Sequence, residues 1–115
     1  MIIYHNPRCS KSREALGLLE ENNCDIEIRE YLKEPPTKKE LKELVKKIGG
    51  KPFDIVRKSE PLYIEKYKGE KLTDAQWLKV LSENPVLIER PIVIDGEKAI
   101  VGRPPVLVLD LIRKK

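Results

Sequence analysis

Apolar positions along the chain switch between two periods, and the switches mark the elements. Ile2-Ile3-Tyr4-His5 is β-branched and aromatic and runs into Asn6-Pro7, which predicts a short strand over 2–5. From Ser10 the spacing becomes helical. Ala15, Leu16 and Leu19 share one face with Leu18 at its margin, and Asn22-Asn23 stops the helix. Asp25-Ile26-Glu27-Ile28-Arg29-Glu30 then alternates strictly, as a half-buried strand does. Strand, turn, helix and strand make one βαβ unit, whose strands should run parallel.

Pro35-Pro36 breaks the pattern, and Thr37-Lys38-Lys39-Glu40 follows as a capping box. It launches Leu41, Leu44, Val45 and Ile48 at helical spacing, and Gly49-Gly50 supplies a left-handed C-terminal cap. Pro52 opens a shorter segment with Phe53, Ile55 and Val56. Thr73-Asp74-Ala75-Gln76 is a second capping box, leading into Trp77, Leu78 and Leu81 before Asn84-Pro85. Ile92-Val93-Ile94 and Ala99-Ile100-Val101 flank Asp95-Gly96, a pair that favours a type I′ hairpin turn. A last helix should begin on the prolines 104–105 and carry Val106 to Ile112. The order β-α-β, helices, β-β-α is the plan of the thioredoxin fold. The expectation is an α/β domain spanning 1–115, with a mixed four-stranded sheet and an all-helical insert at about 37–84. Trp77 is assigned to packing within that insert.

Length and composition narrow the function. One domain fits in 115 residues, and 40% hydrophobic content is enough for a core. Lys plus Arg total 23 against 19 acids, a net +4 that suits small oxyanions or acidic partners. The signs are too evenly mixed for a nucleic-acid binder. Apolar runs such as Val106–Leu109 are far short of the roughly 20 residues a membrane span needs. The N-terminus carries no secretion pattern, so the cytoplasm is the expected compartment. One histidine and two cysteines are too few for a structural zinc site, so no metal is expected.

Cys9 stands where the first strand meets the first helix. A helix N-terminus offers unpaired N–H groups and a partial positive charge, which favour thiolate, the nucleophilic form of the side chain. The N–H groups from Ser10 to Arg13 can also cradle an oxyanion. Ser12 adds a hydroxyl donor, and Arg8, Lys11 and Arg13 add positive potential. The motif is Cys9-Ser10-Lys11-Ser12, without a second thiol three residues on, so a dithiol mechanism is excluded. Cys24 lies at the other end of the helix, about 20 Å away at ~1.5 Å per residue, and is read as a small packing or surface residue. His5, the one histidine, ends the first strand on the side of the Cys9 turn, where an imidazolium would lower the thiol pKa further.

Arg29 on the alternating strand and Arg113 in the basic tail are read as solvated. Arg57, Arg90 and Arg103 instead occupy breaks in the pattern, the last two directly before Pro91 and Pro104. In a thioredoxin-like domain the first of these Arg-Pro steps faces the turn that bears the nucleophile, and its proline is cis. Guanidinium forks bind tetrahedral oxyanions through paired hydrogen bonds that lysine cannot match.

His5-Asn6-Pro7-Arg8-Cys9-Ser10-Lys11-Ser12-Arg13, Tyr31-Leu32-Lys33-Glu34-Pro35-Pro36, Val56-Arg57-Lys58, Asn84-Pro85, Glu89-Arg90-Pro91-Ile92-Val93 and Gly102-Arg103-Pro104 together resemble the glutaredoxin-dependent arsenate reductase family. That resemblance covers essentially the whole chain. It implies one catalytic cysteine, Cys9, and an oxyanion site made by Arg57, Arg90 and Arg103 with Ser12 nearby. It further implies support of the thiolate by His5 and a cis-proline at Pro91; Arg13 is added to the supporting set for its position. Arsenate is the implied substrate, glutathione the cosubstrate and glutaredoxin the partner, with no bound cofactor or metal. A monomer is expected. Two other readings stay open on the sequence. One is a glutathione-dependent thiol reductase with no use for arsenate. The other is a redox-sensing regulator that binds RNA polymerase, although Ser12 stands where that class carries its second thiol.

Overall fold

The computed structural model describes residues 1–113, without the side chain of Arg113, so the expectation for that arginine lies outside the described residues. Its strands are β1 (Ile2–Tyr4), β2 (Glu27–Arg29), β3 (Ile92–Asp95) and β4 (Lys98–Val101). Its α-helices are α1 (Ser10–Glu21), α2 (Lys38–Ile48), α3 (Asp74–Glu83) and α4 (Leu109–Arg113). The sheet order is β2-β1-β3-β4, with β1 and β2 parallel and the other two pairs antiparallel. This is the mixed four-stranded sheet of a thioredoxin-like fold.

Strand periodicity divides the interior into two layers. Ile3 and Val93 pair across β1 and β3, and both face Ala15 and Leu19 of α1 and Val108 and Leu111 near the C-terminus. Tyr4 and Ile92, the next pair along, face the other way, into Leu41, Leu44, Val45, Trp77 and Leu81 of the insert. Each large apolar side chain withdrawn from water contributes about 1.5–3 kcal/mol.

Local signals in the insert form as the sequence predicts. Thr37 Oγ1 accepts the Glu40 N–H at 3.1 Å, while Glu40 Oε1 accepts the Thr37 N–H at 3.0 Å. Thr73 and Gln76 repeat the exchange at 3.2 and 2.8 Å. Gly49 closes α2 at φ +84°, a conformation open to glycine at little cost. Between the helices lie a 3₁₀ turn (Pro52–Ile55) and a π-helical turn (Tyr63–Tyr67). Their aromatic rings surround Trp77, with Phe53 at 5.3 Å, Tyr67 at 5.9 Å and Tyr63 at 6.4 Å between centroids.

Several details differ from the sequence expectations. β2 is three residues long and lies at the sheet edge, so alternation there does not bury one face; Ile28 is 51% exposed. Asp95 pairs with Lys98, which makes Gly96-Glu97 the hairpin loop, and only Gly96 has a positive φ, +60°. That is the type II′ pattern rather than type I′, because the strand register carries Asp95 into the ladder. The C-terminal helix is preceded by a 3₁₀ turn, Pro105–Val108, and α4 proper begins at Leu109. Among the described residues no helix is long and apolar enough to cross a membrane.

Candidate active site

The turn between β1 and α1 is built by its own polar groups. Asn6 accepts the Cys9 N–H on its backbone oxygen and the Arg8 N–H on its side chain, both at 3.0 Å. Cys9 is the N-cap of α1 in extended conformation (φ −94°, ψ 121°), and its carbonyl accepts the Arg13 N–H at 3.0 Å. The sulfur makes no capping hydrogen bond of ordinary geometry, but it still faces the open N–H groups of the first turn. Burial pushes the Cys9 thiol up. The Ser12 N–H, the Arg90 guanidinium and the Lys11 N–H outweigh that and hold it below its ordinary value of 9.0.

Two distant segments deliver the arginines. An isolated antiparallel bridge joins Val56 to Ile88, with Arg57 N–H on Leu87 O at 2.7 Å and Glu89 N–H on Ile55 O at 2.8 Å. Arg57 is thereby held beside the segment that ends in Arg90. Arg90-Pro91 is cis, as expected, and Arg103-Pro104 is cis as well. Gly102 N–H bonds to Pro91 O at 2.8 Å, and Arg103 Nη1 donates to Arg90 O at 3.1 Å. Arg57 and Arg103 each have a carboxylate in reach, Glu60 at 3.5 Å and Glu89 at 3.7 Å. The Arg90 guanidinium is directed to the Cys9 sulfur. Arg103 is therefore a rim residue anchored on the Arg90 backbone, while Arg90 and Arg57 stand further in.

Three supporting residues are placed differently from expectation. Ser12 is fully buried, and its Oγ lies 2.7 Å from His5 Nδ1 while accepting the Asn6 N–H at 3.1 Å. Its oxygen is engaged inside the protein, and it is the Ser12 backbone N–H that acts on the Cys9 sulfur. Burial lowers the pKa of His5 below 6.5, outweighing the opposing pull of Glu30, so the ring is neutral near pH 7. It braces the turn through Ser12. Arg13 is exposed, and its charge acts on His5.

Arg29 is half-buried and fixed in place rather than free in solvent. It forms a two-pronged ion pair with Glu40, donates to Glu34 O at 3.1 Å and Pro35 O at 3.2 Å, and lies over the Tyr4 ring at 5.4 Å. Cys24 is a free, partly buried thiol packed at the margin of the α1 layer.

One polar residue escaped the sequence reading of function. Tyr31, in the turn after β2, is fully buried, and its ring stacks on Tyr4 at 6.4 Å and 19°. Burial raises its pKa above 10.0, while the charges of Arg90, Cys9 and Arg57 all act on its hydroxyl. The signal available in the sequence was a bulky phenol inside a charged turn, which says nothing of the residues it meets. One surface groove, lined by Ile2, Tyr4, Arg29, Glu40, Leu44 and Lys47, contains none of these site residues except the brace Arg29.

The model of the ArsC family matches residues 4–111. The chain belongs to the ArsC family. An arsenate reductase of Haemophilus influenzae is 44% identical over 117 aligned residues, covering 97% of this chain and 98% of the relative. An uncharacterized protein of Escherichia coli K12, YfgD, is 42% identical, covering 96% of this chain and 94% of its own. Among solved structures, the arsenate reductase from Vibrio cholerae superposes with a TM-score of 0.90 at 42% identity, covering 95% of this chain and 94% of that one. An ArsC-family protein of thioredoxin-like fold thus carries its cysteine at a helix N-terminus with an arginine directed at the sulfur.

Proposed function

We propose that this protein is an arsenate reductase that uses Cys9 as its single nucleophile and takes electrons from glutathione and glutaredoxin. The observation that carries this reading is the Cys9 thiol, held toward the thiolate form at the N-terminus of α1 with the Arg90 guanidinium beside it. One small volume then contains a nucleophile and a fork suited to a tetrahedral oxyanion. The arsenate reductases of Haemophilus influenzae and Vibrio cholerae that this chain resembles support arsenate as that anion.

Arsenate is held by Arg90 and Arg57, with Arg103 closing the rim. The Cys9 sulfur attacks arsenic, an S–As bond forms, and one As–O bond breaks, its oxygen leaving as water once protonated. The sulfur of glutathione then attacks the Cys9 sulfur. The S–As bond breaks and its electron pair stays on arsenic, which becomes As(III) and departs as arsenite. A Cys9–glutathione disulfide is left, and glutaredoxin resolves it by thiol–disulfide exchange. Two electrons from two thiols balance the step from As(V) to As(III). External thiols are needed because Cys24 lies at the far end of α1 from Cys9.

A coupled assay with arsenate, glutathione, glutaredoxin, glutathione reductase and NADPH tests the proposal. Arsenate-dependent NADPH oxidation is expected, lost in Cys9→Ser and retained in Cys24→Ser. Equal loss in both variants would overturn the single-thiol mechanism. Reduction of glutathione mixed disulfides with no response to arsenate would replace arsenate reduction by general thiol reduction.

A further inference from the structure

Among the described residues, three buried side-chain polar atoms lack a hydrogen-bond partner: Tyr31 Oη, Arg57 Nε and Arg90 Nε. Each belongs to a donor group, and they share one neighbourhood, since the Tyr31 hydroxyl feels Arg90, Cys9 and Arg57 together. Arginine accepts no hydrogen bond. Even an Arg90 N–H turned onto the phenol oxygen would leave the phenol proton without an acceptor. Arg57 Nε faces the Glu60 carboxylate at 3.5 Å, too long for a good hydrogen bond, while the phenol proton and Arg90 Nε face no acceptor among the described residues. Buried donors are rarely left unspent, so the place calls for an acceptor from outside.

Tyr31 is also held where it is. Its turn is closed by the Lys33 and Glu34 N–H groups on Glu30 O at 2.9 and 3.0 Å, and its ring lies against Tyr4. Arg29 ties the same turn to α2 through Glu34, Pro35 and Glu40.

We propose that Tyr31 Oη donates a hydrogen bond to the oxyanion bound by Arg57 and Arg90, as a substrate-contacting residue of that site. This rests on the oxyanion reading above and adds a neutral, directional donor to the charged ones. Burial keeps the phenol protonated throughout the physiological range, as a donor must be. A tetrahedral oxyanion offers enough lone pairs to satisfy all three donors at once.

Tyr31→Phe keeps the ring and its stack and removes only the oxygen. In a Cys24→Ser background, Cys9 is alkylated with iodoacetamide at increasing arsenate, and separately at increasing sulfate, which cannot be reduced. The half-protecting concentration of each anion should rise about tenfold or more in Tyr31→Phe, the scale of one hydrogen bond to a charged group. The rate without anion is the internal reference. Equal half-protecting concentrations in both proteins would overturn the proposal, as would a change confined to the anion-free rate, which would assign Tyr31 to the thiol. A second measurement uses the unaltered side chain: sulfate should slow exchange of the Tyr31 hydroxyl proton in NMR, and unchanged exchange also overturns the proposal. Protection by arsenate without its turnover would remove the reductase reading and leave Tyr31 in place. Turnover with equal protection in both proteins would do the reverse.

Discussion

His5 Nδ1 lies 2.7 Å from Ser12 Oγ, and that oxygen also accepts the Asn6 N–H at 3.1 Å, so the hydroxyl is committed to the scaffold of the Cys9 turn. Ser12→Ala leaves two buried polar groups short of a partner, at a cost of about 1–3 kcal/mol. The urea midpoint should fall accordingly. The pH profile of Cys9 alkylation should hardly move, because the backbone N–H of Ser12 is untouched. A tenfold rise in the KM for arsenate at unchanged stability would instead put the hydroxyl on the substrate.

The same pair makes stability sensitive to mild acid. Burial depresses the pKa of His5 in the folded protein below the 6.5 of the unfolded chain, so on acidification the unfolded chain binds the proton first. Stability is full above about pH 6.5 and falls as pH drops below it. His5 is the only histidine, so denaturation midpoints of the protein and of His5→Gln between pH 7.5 and 5.5 isolate the effect. The variant should lose this decline. An identical decline in both proteins would mean that His5 titrates normally.

What the sequence disclosed and what it hid divide by distance along the chain. Cys9 as a helix cap was legible because the strand before it and the helical spacing after it are local. The boxes at Thr37 and Thr73 were legible for the same reason, each being complete within four residues. Arg29 was misread because its ion-pair partner, Glu40, arrives on the next helix, and an edge strand looks solvated until that helix is placed. Tyr31 was silent because the groups that give it a role come from the turn at Cys9 and from segments around 57 and 90. The hairpin pair Asp95-Gly96 shows the converse: a strong local preference yielded to the register that pairs Asp95 with Lys98.

Cys9 reactivity should report the arginine beside it. With the Ser12 N–H, the Arg90 guanidinium and the Lys11 N–H favouring thiolate, the alkylation rate should reach half its maximum below pH 9.0. Arg90→Gln removes one of these contributions and should move the midpoint upward, while Cys24→Ser should leave it in place. A midpoint in Arg90→Gln equal to that of the unaltered protein would mean that the helix alone activates the sulfur, and that Arg90 serves the anion only.

Arg29 and Glu40 fasten the turn that carries Tyr31. The Arg29 guanidinium, helped by the Thr37 N–H, draws the pKa of Glu40 down from 4.5 to about 2. A depressed carboxylate stabilises the fold above the unfolded value, so this contribution is present above about pH 4.5 and lost as pH falls toward 2. An NMR titration should find Glu40 near 2, and clearly higher in Arg29→Ala, though still below its ordinary value while the Thr37 N–H remains on it. At neutral pH the pair itself is worth about 1 kcal/mol or less, because Glu40 is partly solvent-exposed. The larger consequence of Arg29→Ala should be at the site, as weaker protection of Cys9 by sulfate once the Tyr31 turn loosens. An unchanged Glu40 titration in Arg29→Ala would show that the Thr37 cap alone depresses the carboxyl.

Gly102 is fixed by the space around it. A Cβ there would stand 2.9 Å from Val108 Cγ1 and 3.0 Å from Pro91 Cγ, both on buried residues with stiff side chains. Gly102→Ala must therefore displace one of them, at about 1–3 kcal/mol for an overpacked interior. For a chain of this length that lowers Tm by several degrees. The direction of the displacement is measurable. If Val108 yields, Gly102→Ala with Val108→Ala should cost less than the two single changes added together, since truncating Val108 opens the room the new methyl needs. If Pro91 yields, the double variant should be additive, and the damage should register at Arg90, its neighbour, as weaker sulfate protection of Cys9. The closer contact is with Val108, so sub-additive stability with little change in anion binding is the expected result. A Gly102→Ala protein as stable as the parent would contradict the close approach of the 101–103 segment to Pro91, and with it the way Arg103 is anchored on the Arg90 carbonyl.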